Sequence, residues 1–278
     1  SGKSTLVNDL AKAFRQRDKL VGIIAVDPSS PFTGGALLGD RVRMRDLSGD
    51  KGIFIRSMAS RGSLGGLAQA TAAAIKVLDA GGFDVVLVET VGAGQAEVDI
   101  ASTAHTTLVI EAPGMGDDIQ SIKAGILEIA DILVVNKADR PGAARTVRSL
   151  NMMLELGQNK QVNHHGRTMP AAGVNGDEPE PGWRIPVQET VAMDGQGIPE
   201  LVDAIVAHRA FLQASGQWAQ REFVRSRREV EQLLHARLMT RLEMTVPQAN
   251  HDKLITAVAR RQTDPYTAVA ELFTKITN

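Results

Sequence analysis

Cysteine is absent from the 278 residues. That excludes disulfides and thiolate metal sites and fits a reducing compartment. Aromatic side chains are scarce, at 4%, leaving few platforms on which single-stranded nucleic acid could stack. Neither sign of charge dominates: 31 Lys and Arg against 32 Asp and Glu give a net charge of -1. The chain therefore has no global basic field for nucleic acid or anionic lipid, and no nucleic-acid partner is expected. No apolar run reaches the roughly 18 residues of a membrane-spanning helix, so no membrane partner is expected. No signal peptide is visible, but the chain opens on SGKST, already inside a motif, so a targeting segment would precede Ser1. A cytoplasmic location is the expectation, with a mitochondrial targeting segment left open.

What is present is ordinary for a globular protein, 43% hydrophobic and 23% charged. Short β-branched runs alternate with helical patterns over the first two-thirds, the rhythm of a mostly parallel α/β sheet. Apolar runs predict strands at Leu20 to Val26, Ile53 to Arg56, Phe83 to Glu89, Thr106 to Ala112, Asp131 to Asn136 and Ile185 to Ala192. Helical spacing predicts helices after SGKST, at Leu64 to Leu78, at Pro141 to Leu156, and from Ile198 onward. Gln158 to Gly182 is polar and aperiodic and reads as an exposed excursion. His164-His165 within it tempts a metal reading, but without nearby acids it reads as solvated loop. Residues 1–213 are expected to form one α/β domain and 214–278 a helical extension. A long helix at Trp218 to Glu243 carries Phe223, Val230, Leu233, Leu234, Leu238 and Leu242 along one side, a stripe that needs a cover.

SGKST is the back half of the pattern GxxxxGK[ST]. In that reading Gly2 lets the backbone approach a phosphate and Lys3 reaches the β- and γ-phosphates. Ser4 can ligate Mg²⁺, and Thr5 sits near the α-phosphate on a helix whose N-terminus faces the anion. The strand and loop front expected before this motif lie outside the sequence, so impaired phosphate binding is expected of the chain as it stands. A chance Gly-Lys-Ser-Thr at a helix start is the alternative.

Asn136-Lys137-Ala138-Asp139 follows a buried strand. The Asp139 carboxylate can accept from both the ring N-H and the exocyclic amine of guanine, and adenine would leave it desolvated and unpaired. Asn136 can pin the loop, and the Lys137 stem can lie along the base. Val191 and Ala192 close the last strand, where backbone amides could back the guanine. Mg²⁺ takes oxygen ligands, and Asp27 and Glu89 end two strands at the edge where ligands bind in such sheets. Either could instead be a turn or capping acid. Gly92 follows Glu89 by three residues and could bond a γ-phosphate through its amide. Gln95 and Glu97 lie just beyond. Glycines at 34, 35, 39, 114 and 116 stand beside acids, as in switches or in ordinary loops.

Four strings, AVDPSSPFTGGALLGDR, VETVGAGQAEVD, APGMGDDIQSIKAGILEIADILVVNKAD and DPYTAVAELF, closely resemble the MeaB/ArgK/MMAA family of SIMIBI-class P-loop GTPases. The resemblance covers nearly the whole chain. It implies a P-loop three-layer fold with a helical extension and a GTP hydrolase using Mg²⁺. It also implies a chaperone that gates adenosylcobalamin loading and protects or reactivates methylmalonyl-CoA mutase, and a homodimer formed through the helical arm. Carried over, it implies Lys3, Glu89 and Lys123 as catalytic residues. Gly2, Lys3, Ser4, Thr5, Asn136, Lys137, Asp139, Val191 and Ala192 would bind nucleotide. Ser4, Asp27, Asp40 and Glu89 would hold the metal, and Gly92, Gln95, Asp117 and Gln120 would act as switch residues. Arg41 is a candidate contributor of positive charge. The alternatives are a related GTPase for metal-centre maturation, an ArgK-type kinase or ATPase linked to amino-acid transport, and a nucleotide-dependent scaffold.

Overall fold

Among the residues described by this computed structural model (2–27, 45–47, 49–59, 64–90, 100–114, 129–158 and 182–277), six strands and seven α-helices are formed. The strands are β1 Val21–Asp27, β2 Ile53–Ala59, β3 Val85–Thr90, β4 Leu108–Glu111, β5 Ile132–Asn136 and β6 Val187–Thr190. The helices are α1 Lys3–Arg15, α2 Leu64–Ala80, α3 Ala143–Gln158, α4 Ile198–Ala214, α5 Gln217–Thr245, α6 Gln248–Ala259 and α7 Pro265–Thr277. All strand pairings are parallel and fall into two three-stranded sheets, β2-β1-β3 and β4-β5-β6.

The period-two alternation of each strand assigns its residues to two helical layers. Val21 and Ile23 of β1 join Ile132 and Val134 of β5 beneath Leu6, Leu10 and Phe14 of α1 and Leu201 and Val202 of α4. One helical layer therefore covers both sheets. On the opposite faces, Ile24 and Val26 meet Leu78 of α2, and Leu133 and Val135 meet Leu150 of α3. Each fully buried Leu or Ile contributes about 1.5–3 kcal/mol of transfer free energy. The result is the expected three-layer α/β arrangement.

Boundaries differ from the sequence reading where local chemistry intervenes. β2 continues past Arg56 because its backbone stays in register with β1 up to Asp27↔Ala59. The strand expected at Ile185 to Ala192 is shorter at both ends. Pro186 has no N–H to donate, although its carbonyl accepts from Leu133 N at 2.9 Å. At the other end Val191 bridges to Gln196, and Ala192–Asp194 forms a 3₁₀ turn. Most of the polar excursion, residues 159–181, lies outside the described residues.

The chain divides into two compact units, Ser1–Ala219 and Gln220–Asn278, with the break inside α5. The first unit holds all six strands. In the second, α6 packs on α7, whose start is capped by Asp264: Oδ1 accepts from the amides of Tyr266 and Thr267 at 2.9 and 3.0 Å. No residue of α5 is buried, and Phe223, Val230, Leu233, Leu234 and Leu238 of its apolar stripe are exposed. No helix among the described residues is long and apolar enough to cross a membrane.

Candidate nucleotide site

The site is built where the strands end. α1 begins directly after Gly2, whose φ of 80° is in the left-handed region that glycine adopts without a side-chain clash. Leu6, Val7, Leu10, Ala11 and Phe14 fasten one face of α1 into the core. That packing fixes where its N-terminal amides and positive dipole end point. No acidic residue occupies the first turn to neutralise them.

Ser4 Oγ donates to Glu89 Oε1 at 2.6 Å. Glu89 is only 4% exposed and is the register partner of Ala25, two residues short of the end of β1 at Asp27. A hydroxyl and a buried carboxylate held this closely form an all-oxygen donor pair suited to a hard divalent cation. Among the described residues no group of three or more His, Asp or Glu is gathered to hold a metal. The side chain of Asp27 lies outside the described residues, as do Asp40, Arg41, Gly92, Gln95, Glu97, Asp117, Gln120 and Lys123.

Asn136 ends β5 and is 2% exposed. Its Oδ1 accepts from the Thr190 hydroxyl and from the Ala192 amide, each at 3.2 Å. The Ala138 amide donates to Thr190 O at 3.0 Å. These bonds tie the loop after β5 to the loop after β6. Lys137 takes φ 61°, an uncommon left-handed conformation for a residue with a side chain. It turns the chain out of the strand and leaves Asp139 exposed at the edge. The loop after β6 is closed by the Val191 to Gln196 bridge, with Val191 N donating to Gln196 O at 3.0 Å. Gly197 then admits α4: at φ 73° its place for a Cβ lies 2.1 Å from Glu189 O.

The two sequence motifs meet. A Cβ on Gly2 would stand 2.8 Å from Asn136 Nδ2 and 3.6 Å from Lys137 Cε. The structure thus brings Gly2, Ser4, Glu89, Asn136 and Lys137 to one edge, with Ala192 bonded behind Asn136 and Val191 next to it in the chain. Lys3 and Thr5 occupy the first turn of α1.

Glu111 is an acid at this edge that the sequence reading passed over. It ends β4 opposite Val135. Burial pushes its carboxyl above the usual range, and nearby positive charge, Lys3 included, pulls it back. The available signal was an acid closing an apolar run, as Glu89 closes its own.

Residues 1–246 match a family model described as methylmalonyl-CoA mutase-associated GTPase MeaB. A Pyrococcus abyssi protein, provisionally named a GTPase, is 48% identical over 276 residues, covering 99% of this chain and 80% of its own. The GTPase ArgK of Escherichia coli is 36% identical over 233 residues, 84% of this chain and 65% of its own. The mouse protein named methylmalonic aciduria type A homolog, mitochondrial, is 33% identical over 223 residues, 79% of this chain and 49% of its own. Among solved structures, a LAO/AO transport system kinase superposes with a TM-score of 0.66 at 24% identity, over 100% of this chain and 78% of its own. At that identity the likeness speaks for the fold alone.

Proposed function

The chain belongs to the methylmalonyl-CoA mutase-associated GTPase family MeaB, and from that premise we propose that it is a GTP-hydrolysing chaperone of the mutase. In this reading its nucleotide state gates adenosylcobalamin loading and protects or reactivates the partner. The observation that carries the nucleotide part is the convergence of Gly2, Ser4 and Glu89 with Asn136 and Lys137 at one strand edge. The name of the mouse relative and the family's description support the mutase as partner.

Each residue then has a physical task. Gly2 and the first-turn amides of α1 receive phosphate, and Lys3 adds a positive charge where negative charge develops during transfer. Ser4 and Glu89, with Asp27 and Asp40, would hold Mg²⁺, which supplies charge neutralisation of the phosphates. The hydrogen bond from Ser4 to Glu89 keeps both oxygens in place before the ion arrives. Asp139 reads guanine, and Asn136 holds the loop that presents it. Lys137 lies along the base, with the Val191 and Ala192 backbone behind it. Gly92, Gln95, Asp117 and Gln120 are assigned to segments that respond to the γ-phosphate, and Lys123 to the completion of the transfer site. The exposed apolar stripe of α5 is assigned to a homodimer contact.

The test is a pull-down with methylmalonyl-CoA mutase in GDP and in a non-hydrolysable GTP analogue. Binding that differs between the two states is expected, and no binding in either removes the chaperone assignment. Nucleotide competition addresses the base: ATP displacing GDP as well as GTP does would favour a kinase or ATPase.

A further inference from the structure

A second polar cluster lies at the opposite, amino-terminal ends of β4 and β5. Its centre is His208 of α4, which is 0% exposed. His208 Nδ1 is 2.9 Å from Thr106 Oγ1, just before β4. Its Nε2 is 3.3 Å from Asp131 Oδ1, just before β5. The other carboxylate oxygen of Asp131 accepts from the Thr107 amide at 2.8 Å, and the Asp131 carbonyl accepts from Trp183 Nε1 at 2.8 Å. The Trp183 ring closes over His208 with centroids 4.7 Å apart. None of these side chains reaches the nucleotide edge, and none has a part in the chemistry proposed above.

Burying an imidazole and a carboxylate is costly unless both have polar partners, and Thr106, the Thr107 amide and the His208 to Asp131 contact supply them. The geometry gives the cluster a mechanical consequence. From Asp131 to Asn136 the chain advances five residues of strand, about 16 Å at the usual rise. From His208 back to Ile198, α4 spans ten residues, about 15 Å. Strand and helix run side by side over matching lengths. At the nucleotide edge the Asn136 bond reaches Ala192 in the 3₁₀ turn that leads into α4, and Gly197, at the start of α4, abuts Glu189 of β6. At the far edge they are joined by His208 and Asp131. α4 is therefore fastened to the β4-β5-β6 sheet at both ends, and sliding of the helix along the sheet would strain both joints together.

We propose that His208, Asp131 and Thr106 form a buried clasp that positions the guanine-reading loops from the far end of the same strand and helix. His208 is a positioning residue: it sets the placement of the Ala138 and Ala192 amides and, through them, of Asp139. The clasp holds the half of the site that reads the base and leaves α1, which receives phosphate, untouched.

The experiment compares full-length wild type with His208→Ala, Thr106→Val and Thr106→Ser by amide hydrogen exchange without nucleotide. In His208→Ala and Thr106→Val, exchange at Ala138 and Ala192 is expected to quicken at least ~10-fold, while Leu10 and Ala11 of α1 stay within ~2-fold. Thr106→Ser keeps the hydroxyl and should restore wild-type exchange. Thr106→Val removes one oxygen without a large cavity, so it remains informative if His208→Ala does not fold. Unchanged exchange at Ala138 and Ala192, or a rise in α1 in step with them, would overturn the clasp. A second arm measures the preference for GDP over IDP, which lacks the exocyclic amine; it should fall at least ~3-fold in Thr106→Val while IDP affinity moves less. This arm rests on the guanine reading. A wild type with no preference for GDP over ADP would remove that reading and leave the exchange result to decide on the clasp.

Discussion

Replacing Asn136 with alanine isolates the joint between the loops that follow β5 and β6. The side-chain oxygen accepts two hydrogen bonds, from Thr190 Oγ1 and from the Ala192 amide. Both donors are buried, Thr190 at 1% and Ala192 at 4% exposure. Without the acceptor, the Ala192 N–H is fixed by the backbone and cannot turn elsewhere; an unsatisfied buried donor costs about 1–3 kcal/mol. The Thr190 hydroxyl can rotate, so its loss is the smaller, about 0.5–1.5 kcal/mol. Together they predict a destabilisation of roughly 2–4 kcal/mol. Urea unfolding followed by tryptophan fluorescence is suited to the measurement, because Trp183 and Trp218 both lie in the Ser1–Ala219 unit. With a slope of about 3 kcal/mol/M, the midpoint should fall by roughly 1 M. Thr190→Val in the Asn136→Ala background should cost less than it does alone, by about 0.5–1.5 kcal/mol, since the partner is already gone. A loss under ~0.5 kcal/mol for Asn136→Ala, or strict additivity with Thr190→Val, would refute the reasoning.

Four further outcomes follow from other parts of the structure. Under the proposed reading of Asp139 as the guanine reader, Asp139→Asn removes the charge and one of two acceptor oxygens, so the GDP dissociation constant should rise roughly 100-fold or more by calorimetry; unaltered affinity would reassign the base reader. Gly197→Ala combines a left-handed φ with a Cβ 2.1 Å from Glu189 O, and should cost roughly 3 kcal/mol or more in urea unfolding. The Arg15 side chain, then the Gly52 amide, hold the Asp50 carboxyl below its usual range. That stabilisation is present above the ordinary carboxylate range and is lost as pH falls through the lowered value. Asp50→Asn should therefore lower Tm slightly at neutral pH and not at about pH 2. Glu111 has the opposite sign. Burial raises its folded value, so what the protonated form contributes is lost as pH rises through that value. Glu111→Gln should raise Tm at neutral pH in nucleotide-free protein, and a lower Tm would show that its charge is needed there.

The sequence disclosed most where its signals were local. Apolar runs such as Leu20 to Val26 are unambiguous because both faces of such a strand are buried. The tetrapeptide at Asn136 is informative because it follows one of them. Strand ends were less legible: Pro186 and the bridge from Val191 to Gln196 shorten β6 through hydrogen-bonding choices that apolar content does not encode. Glu111 was missed because an acid after an apolar run is a common strand terminus. Its place beside Lys3 depends on long-range packing. The His208 cluster was equally hidden, since Thr106, Asp131 and His208 carry no spacing rule, and only the fold gathers them.

The two sheets share a helical layer, but no backbone ladder among the described strands joins one to the other. α1 belongs to both: Leu6 and Leu10 pack over the two sheets, Ser4 bonds Glu89 of the first, and Gly2 abuts Asn136 of the second. A nucleotide held at the start of α1 would therefore bear on both sheets through a single helix, and at a ligand concentration of 100 Kd linkage alone stabilises the bound form by about 2.7 kcal/mol.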